Sequence, residues 1–174
     1  NLATGWEKKL TNTKVKKVGI NNESLTVAYL NKLKRIFPKA KFVDVSSKIN
    51  ELRMQKTPEE IKKISKACDI TSLAFNDLLE ELQNKRLQTE KDVAFYLEKR
   101  MKQLGAECTS FPTIVASGKN AAIPHHQTSN KKLRKGFLLL DFGACYKNYC
   151  ADMTRMVYLG TPSKQDKDIY QLLL

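Results

Sequence analysis

Four apolar residues, Phe137-Leu138-Leu139-Leu140, run straight into Asp141, and a second aspartate, Asp152, stands eleven positions further on. No other stretch constrains the fold as strongly. A short continuous apolar run bounded by turn signals reads as a buried strand. Met153 to Leu159 reads as its return strand, closed by Gly160-Thr161-Pro162, so the residues between must turn. Lys147-Asn148 is the natural place, because Asn tolerates positive φ. A two-residue loop there sets Cys145 against Cys150 and Asp141 against Thr154, two positions from Asp152. A loop at Tyr146-Lys147 instead sets the two aspartates directly opposite each other. Side chains alternate along a strand, so both registers bring the carboxylates out on one face. Two neighbouring anions repel unless a proton or a cation is shared between them. A pair of divalent metal ions removes that cost and activates a water. The plainer alternatives are an ion pair with Arg155 or solvated aspartates flanking a turn. Against these, Asp141 closes an apolar strand, and a buried Asp is rarely left unpaired.

The elements before the hairpin set its class. Thr57-Pro58-Glu59-Glu60 supplies an N-cap, a proline at the first helical position and a capping-box glutamate. Ile61, Ile64, Ala67, Cys68, Thr71, Ala74, Phe75, Leu78, Leu79 and Leu82 then mark one face of a long helix. The position of Cys68 on that stripe predicts a buried thiol. A second helix opens at Thr89, with Glu90 and Asp92 as first-turn charges favourable to the helix dipole, and Gly105 ends it. Thr113 to Ser117 is a candidate strand, followed by a loop through Gly118, Asn120 and Pro124 to the only two histidines, His125 and His126. Helices followed by consecutive strands argue α+β. Upstream, Val15 to Ile20, Ser24 to Phe37 and Lys41 to Val45 read as strand, helix and strand, the end of an α/β unit, with a boundary near Arg53 to Pro58.

Composition excludes some classes. No run of about 18 apolar residues is present to span a membrane, and no short apolar secretory core opens the chain. The chain starts at Asn1 without an initiator Met and reads as a processed product or a fragment. The net charge of +13 comes from 31 Lys and Arg against 18 Asp and Glu. Those lysines are dispersed and not interleaved with aromatics, which disfavours a nucleic-acid surface. Four cysteines, Cys68, Cys108, Cys145 and Cys150, fall short of a secreted disulfide framework, and free thiols in a reducing cytoplasm are expected. Cys145 and Cys150 are expected to be a buried thiol pair, with a disulfide or a soft metal as alternatives.

The string Ser110-Phe111-Pro-Thr-Ile-Val-Ala-Ser-Gly118-Lys-Asn120-Ala-Ala-Ile-Pro124-His125-His126, then Leu-Leu-Asp141-Phe-Gly-Ala, then Tyr149-Cys-Ala-Asp152-Met-Thr154-Arg155 closely resembles the prolidase and Xaa-Pro aminopeptidase family, the pita-bread metallopeptidases. Leu52-Arg53-Met-Gln-Lys56-Thr-Pro-Glu-Glu60-Ile61 resembles the segment joining that family's two domains. The resemblance implies residues 1–53 as the C-terminal part of a creatinase-like α/β domain and 54–174 as the N-terminal half of the pita-bread domain. It implies that Asp141 binds one metal of a pair and Asp152 bridges both. It implies that His125 contacts substrate and stabilises the tetrahedral intermediate, that Thr154 supports the metal-bound solvent, and that Phe111 lines the pocket for the substrate's N-terminal residue. The implied cofactors are two divalent ions, Mn foremost, with Co, Zn or Fe as alternatives. The implied reaction is hydrolysis of Xaa-Pro peptides by metal-bound hydroxide, in a cytoplasmic enzyme that is a homodimer at full length. Methionine aminopeptidases share the fold and an Asn-x-x-x-x-His spacing matching Asn120 to His125. The Pro124-His125-His126 string, the linker near Arg53 and the α/β segment before it favour the proline-directed branch.

One departure accompanies the resemblance. The family's other ligands, one His and two Glu, lie downstream of its second aspartate, and this chain has no His or Glu after Asp152. The expectation is therefore two of five ligands and a chain inactive by itself. The alternative is a pita-bread protein serving as a non-catalytic binding platform for an acidic or RNA partner.

Overall fold

The computed structural model describes residues 15–172 and divides into two compact units between Lys56 and Thr57. The expectations placed on residues 1–14, including the reading of Asn1, lie outside the described residues.

In the first unit β1 (Lys17–Ile20) pairs in parallel with β2 (Lys41–Asp44). Helix α1 (Val27–Ile36) connects them and contributes Leu33 to a small core with Ile20 and Phe37. The helix begins later than the apolar spacing from Ser24 predicts. Asn21 accepts from the Glu23 amide through its side chain (3.1 Å) and from the Leu25 amide through its carbonyl (2.9 Å), holding that segment in a turn. Thr26 is the N-cap, its hydroxyl accepting from the Tyr29 amide at 3.2 Å. A helix the apolar pattern does not announce, α2 (Ser46–Met54), follows. It buries only Ser46, so it carries no apolar stripe. Its start is fixed by Asp44, which accepts from the Ser46 amide (2.9 Å) and hydroxyl.

The second unit opens with α3 (Pro58–Gln83) behind the expected capping box: the Glu60 amide donates to Thr57 Oγ1 (3.3 Å) and the Thr57 amide to Glu60 Oε2 (2.7 Å). Its buried seam is Ala67, Ile70, Thr71, Ala74 and Leu78. Cys68 is exposed, a correction to the reading of its stripe. Consecutive helical residues are separated by about 100° of rotation, and Ala67 and Ile70 rather than Cys68 take the inward direction. Helix α4 (Glu90–Gln103) packs on α3 through Val93, Ala94, Leu97 and Met101. Gly105, at φ 106°, ends that segment in a conformation open to glycine.

Six strands follow. β4 (Ile114–Ser117), β5 (Gly136–Phe142) and β8 (Met153–Leu159) make one antiparallel sheet with β5 central. β3 (Cys108–Thr109), β6 (Ala144–Tyr146) and β7 (Tyr149–Cys150) make the other, with β6 central. Leu138, Leu140 and Phe142 of β5 are fully buried and join the helical core. A short helix, α5 (Lys164–Gln171), follows β8, with Asp166 reaching back to its N-cap Ser163. The architecture is α+β: a parallel β-α-β unit, then a helix pair followed by antiparallel strands.

Candidate active site

The turn between β6 and β7 is at Lys147-Asn148, with φ of 47° and 65°. Two consecutive left-handed residues make the tight two-residue hairpin loop whose twist matches that of its strands. The alternative loop at Tyr146-Lys147 is therefore not adopted. Pairing runs outward from Tyr146↔Tyr149 and Cys145↔Cys150 to Phe142↔Met153 and Asp141↔Thr154 without a change of register. Between those ladders the backbones pinch at Gly143, where an added Cβ would lie 1.9 Å from the Ala151 carbonyl oxygen. Only glycine fits this approach, one residue from Asp152.

The hairpin register turns Asp141, Thr154 and Asp152 to one side, as strand alternation requires. Asp141 is half-buried, and its Oδ1 accepts from Thr154 Oγ1 at 2.9 Å. Arg155 does not pair with either aspartate: its guanidinium donates to the carbonyl of Thr154 (2.8 Å). Asp141 and Asp152 line a cavity of about 680 Å³ together with Phe111 and His125. Four of the five sequence-derived site residues thus share one cavity, and the fifth, Thr154, is bonded to one of them. Thr113 and Ile114 at the start of β4 line the same space.

The two histidines do different things. His125 is exposed and adopts a left-handed backbone, φ 56°. His126 turns its Nε2 to Glu90 Oε2 at 3.0 Å. Glu90 is a residue whose role the sequence reading missed. It is fully buried, and it is far more than a first-turn charge for the helix dipole. Oε1 accepts from the Ser117 amide (2.9 Å) and Asn120 Nδ2 (2.7 Å); Oε2 accepts from the Ser129 amide (3.1 Å) and hydroxyl (2.7 Å) and faces His126. Lys131 Nζ in turn donates to Asn120 Oδ1 at 3.0 Å. Burial alone would push the Glu90 carboxyl up, but the bonds from His126, Ser117, Asn120 and Ser129 outweigh it and hold it at about 2.

The cysteines also depart from expectation. Cys145 is buried but Cys150 is exposed, and Cys108 stands on the other side of Cys145 in β3. All are free thiols. Burial, then hydrogen bonds with Cys150 and Cys108, push the Cys145 thiol up to about 11.

Two carboxylates converging on one cavity suit hard divalent cations with oxygen ligands. Among the described residues no cluster of three or more His, Cys, Asp or Glu completes such a site. The pair fits part of a metal ligand set, and further ligands are needed to close it.

The model for metallopeptidase family M24 matches residues 62–174, and that for the creatinase/prolidase N-terminal domain matches residues 2–55. The chain belongs to metallopeptidase family M24. It is 37% identical over 161 residues to an Xaa-Pro dipeptidase of Pyrococcus horikoshii, covering 92% of this chain and 45% of the relative. An X-Pro aminopeptidase from Thermotoga maritima superposes with a TM-score of 0.83 at 37% identity, covering 96% of this chain and 47% of that one. An Xaa-Pro dipeptidase from Bacillus anthracis gives 0.84 at 35% identity, covering 96% and 46%. The chain spans about half the length of the relatives it matches. Among the described residues no helix is long and apolar enough to cross a membrane.

Proposed function

We propose that this chain supplies the first part of the catalytic site of a dinuclear metal-dependent exopeptidase acting on peptides with proline at the second position. The observation that carries the reading is the single cavity lined by Asp141, Asp152, His125 and Phe111. Residues 1–53 act as the C-terminal part of the creatinase-like domain and 54–174 as the N-terminal half of the pita-bread domain.

Asp141 and Asp152 hold the divalent pair, with Mn favoured by their hard oxygens. Bound ions of this kind supply an activated water and polarise the scissile carbonyl. Thr154 occupies one oxygen of Asp141 and fixes the carboxylate's rotation, leaving its remaining lone pairs for a cation. His125 donates to the carbonyl oxygen of the substrate as negative charge builds there. Phe111 forms an apolar wall for the substrate's N-terminal side chain. The remaining ligands come from outside these residues, so the chain by itself is inactive. The complete enzyme is cytoplasmic and homodimeric.

Hydrolysis of an Xaa-Pro dipeptide and an Xaa-Pro-containing tripeptide with added Mn²⁺ tests the reading. The 174-residue chain is expected to show no turnover, and a longer form carrying the missing ligands to lose its turnover on Asp152→Ala. Turnover by the chain alone, or a longer form indifferent to Asp152→Ala, contradicts it. Tight stoichiometric Mn²⁺ binding by the chain alone would also contradict the expected weak affinity of two carboxylates.

A further inference from the structure

We propose that Glu90 is the positioning residue of the candidate site, a buried carboxylate that clamps the loop bearing His125 from both sides and fixes the direction of that histidine. The role for His125 rests on the functional reading above; the clamp does not.

Besides Glu90, the loop between β4 and β5 is held near its far end. There the Thr128 hydroxyl accepts from the Val115 amide (2.9 Å) and donates to the Thr113 carbonyl (2.9 Å), and the Ser129 carbonyl accepts from the Lys91 amide (3.1 Å). The loop leaves β4 at Ser117, passes through a short 3-10 turn (Gly118–Ala122), and reaches Ser129 before returning to the sheet. Beyond that 3-10 turn, its backbone makes two further short turns, Ile123 N to Asn120 O (3.0 Å) and His126 N to Ile123 O (3.2 Å). Glu90 meets this loop at four residues. It takes the Ser117 amide and Asn120 side chain before His125, and the His126 ring and Ser129 after it. His125 itself makes none of these bonds. It occupies a left-handed conformation at φ 56°, which a non-glycine residue keeps only where its surroundings hold it.

Both histidines line the cavity, and with the His126 ring pinned to Glu90 the left-handed backbone at His125 sets the direction of its neighbouring ring. The carboxylate is rigid in turn: it projects from the first turn of α4, whose core contacts through Val93 and Leu97 are complete. The Glu90 amide also donates to the Lys131 carbonyl at 3.0 Å, tying the far end of the loop to the same residue. Five donors face two oxygens, so a neutral amide in its place would turn its own NH₂ towards two or three of them. Glu90→Gln therefore breaks the clamp while keeping size and shape.

The chain has only two histidines, so the ring resonances of His125 can be assigned without ambiguity by NMR. In Glu90→Gln the His125 ring signals are expected to shift and broaden. Amides of Ser117 and Ser129 should exchange about tenfold faster relative to the α3 amides, the loss that follows removal of a charged acceptor. Leu78→Ala, a core truncation on α3, is the control for general destabilisation: it should leave the His125 signals in place and produce no selective change at Ser117 and Ser129. Should Glu90→Gln fail to fold, Ser129→Ala removes one donor and should move the His125 signals in a smaller degree. Unmoved His125 signals in the folded Glu90 variant, or in Ser129→Ala when that variant is needed, overturn the proposal. So does an equal displacement in Leu78→Ala. None of these readouts uses peptide hydrolysis, so failure of the peptidase reading and failure of the clamp are told apart.

Discussion

The two walls of the cavity are built on different principles. The hairpin wall is regular: Asp141, Asp152 and Thr154 take their direction from strand alternation and a tight turn, and each step follows from backbone geometry. The loop wall is irregular: His125 is placed by a buried charge 35 residues earlier in the chain, through hydrogen bonds that no local pattern announces. A carboxylate on a strand inherits its orientation from the sheet, whereas a histidine on a loop needs a dedicated anchor. The first wall depends on backbone fit, the second on buried electrostatics.

This contrast predicts how each wall fails. The largest effect is expected at the pinch of the hairpin. In Gly143→Ala the new Cβ would lie 1.9 Å from the Ala151 carbonyl oxygen, a backbone atom unable to move without breaking the register. A loss on the order of 4 kcal/mol or more is expected in denaturant unfolding; a wild-type midpoint would show that the hairpin tolerates a bulge there.

Acid is expected to attack the loop wall next. The Glu90 carboxyl is held at about 2 against an ordinary value of 4.5. Because its folded value is depressed, its stabilisation is complete above the unfolded value and is lost as pH falls from about 4.5 towards 2. The contribution is on the order of 3 kcal/mol. Unfolding free energies measured across that range should fall more steeply for the native chain than for Glu90→Gln. Parallel curves would remove the carboxylate from the account.

A smaller effect belongs to Thr154→Val. The hydroxyl bonds an exposed edge of the site, so stability should change by less than about 1 kcal/mol, while Mn²⁺ affinity falls severalfold because Asp141 loses its orienting bond. Unchanged Mn²⁺ affinity would deny Thr154 that part. The slightest perturbation concerns thiols. With Cys145 raised to about 11 and buried, and Cys68, Cys108 and Cys150 exposed, alkylation at pH 8 followed by peptide mapping should find Cys145 modified last.

The same contrast explains what could be read from the sequence. Phe137 to Leu140, the Lys147-Asn148 turn and the capping box at Thr57 and Glu60 are local signals, and the structure realises them with the expected register and caps. Helix α2 was illegible because it buries no apolar stripe and starts on a polar bond from Ser46 to Asp44. Cys68 was misplaced because a stripe wide enough to include Ile64 and Phe75 does not show which of its members face inward. Glu90 looked like an ordinary first-turn acid. No local signal marks it, because its partners lie 27 to 39 residues further along the chain and only the fold brings them together. The family likeness singles out His125 but carries no information on what holds it.

The central claim, that the hairpin carboxylates and the His125 loop face a shared cation site, is tested most directly by titrating Mn²⁺ into the isotopically labelled chain and following paramagnetic broadening. The account predicts that signals of Asp141, Asp152, Thr154 and the His125 ring broaden first, and that Asp141→Asn with Asp152→Asn abolishes the effect. Broadening centred instead on the acidic residues Asp77, Glu80 and Glu81 between α3 and α4, or broadening at the hairpin that survives the double substitution, would contradict it.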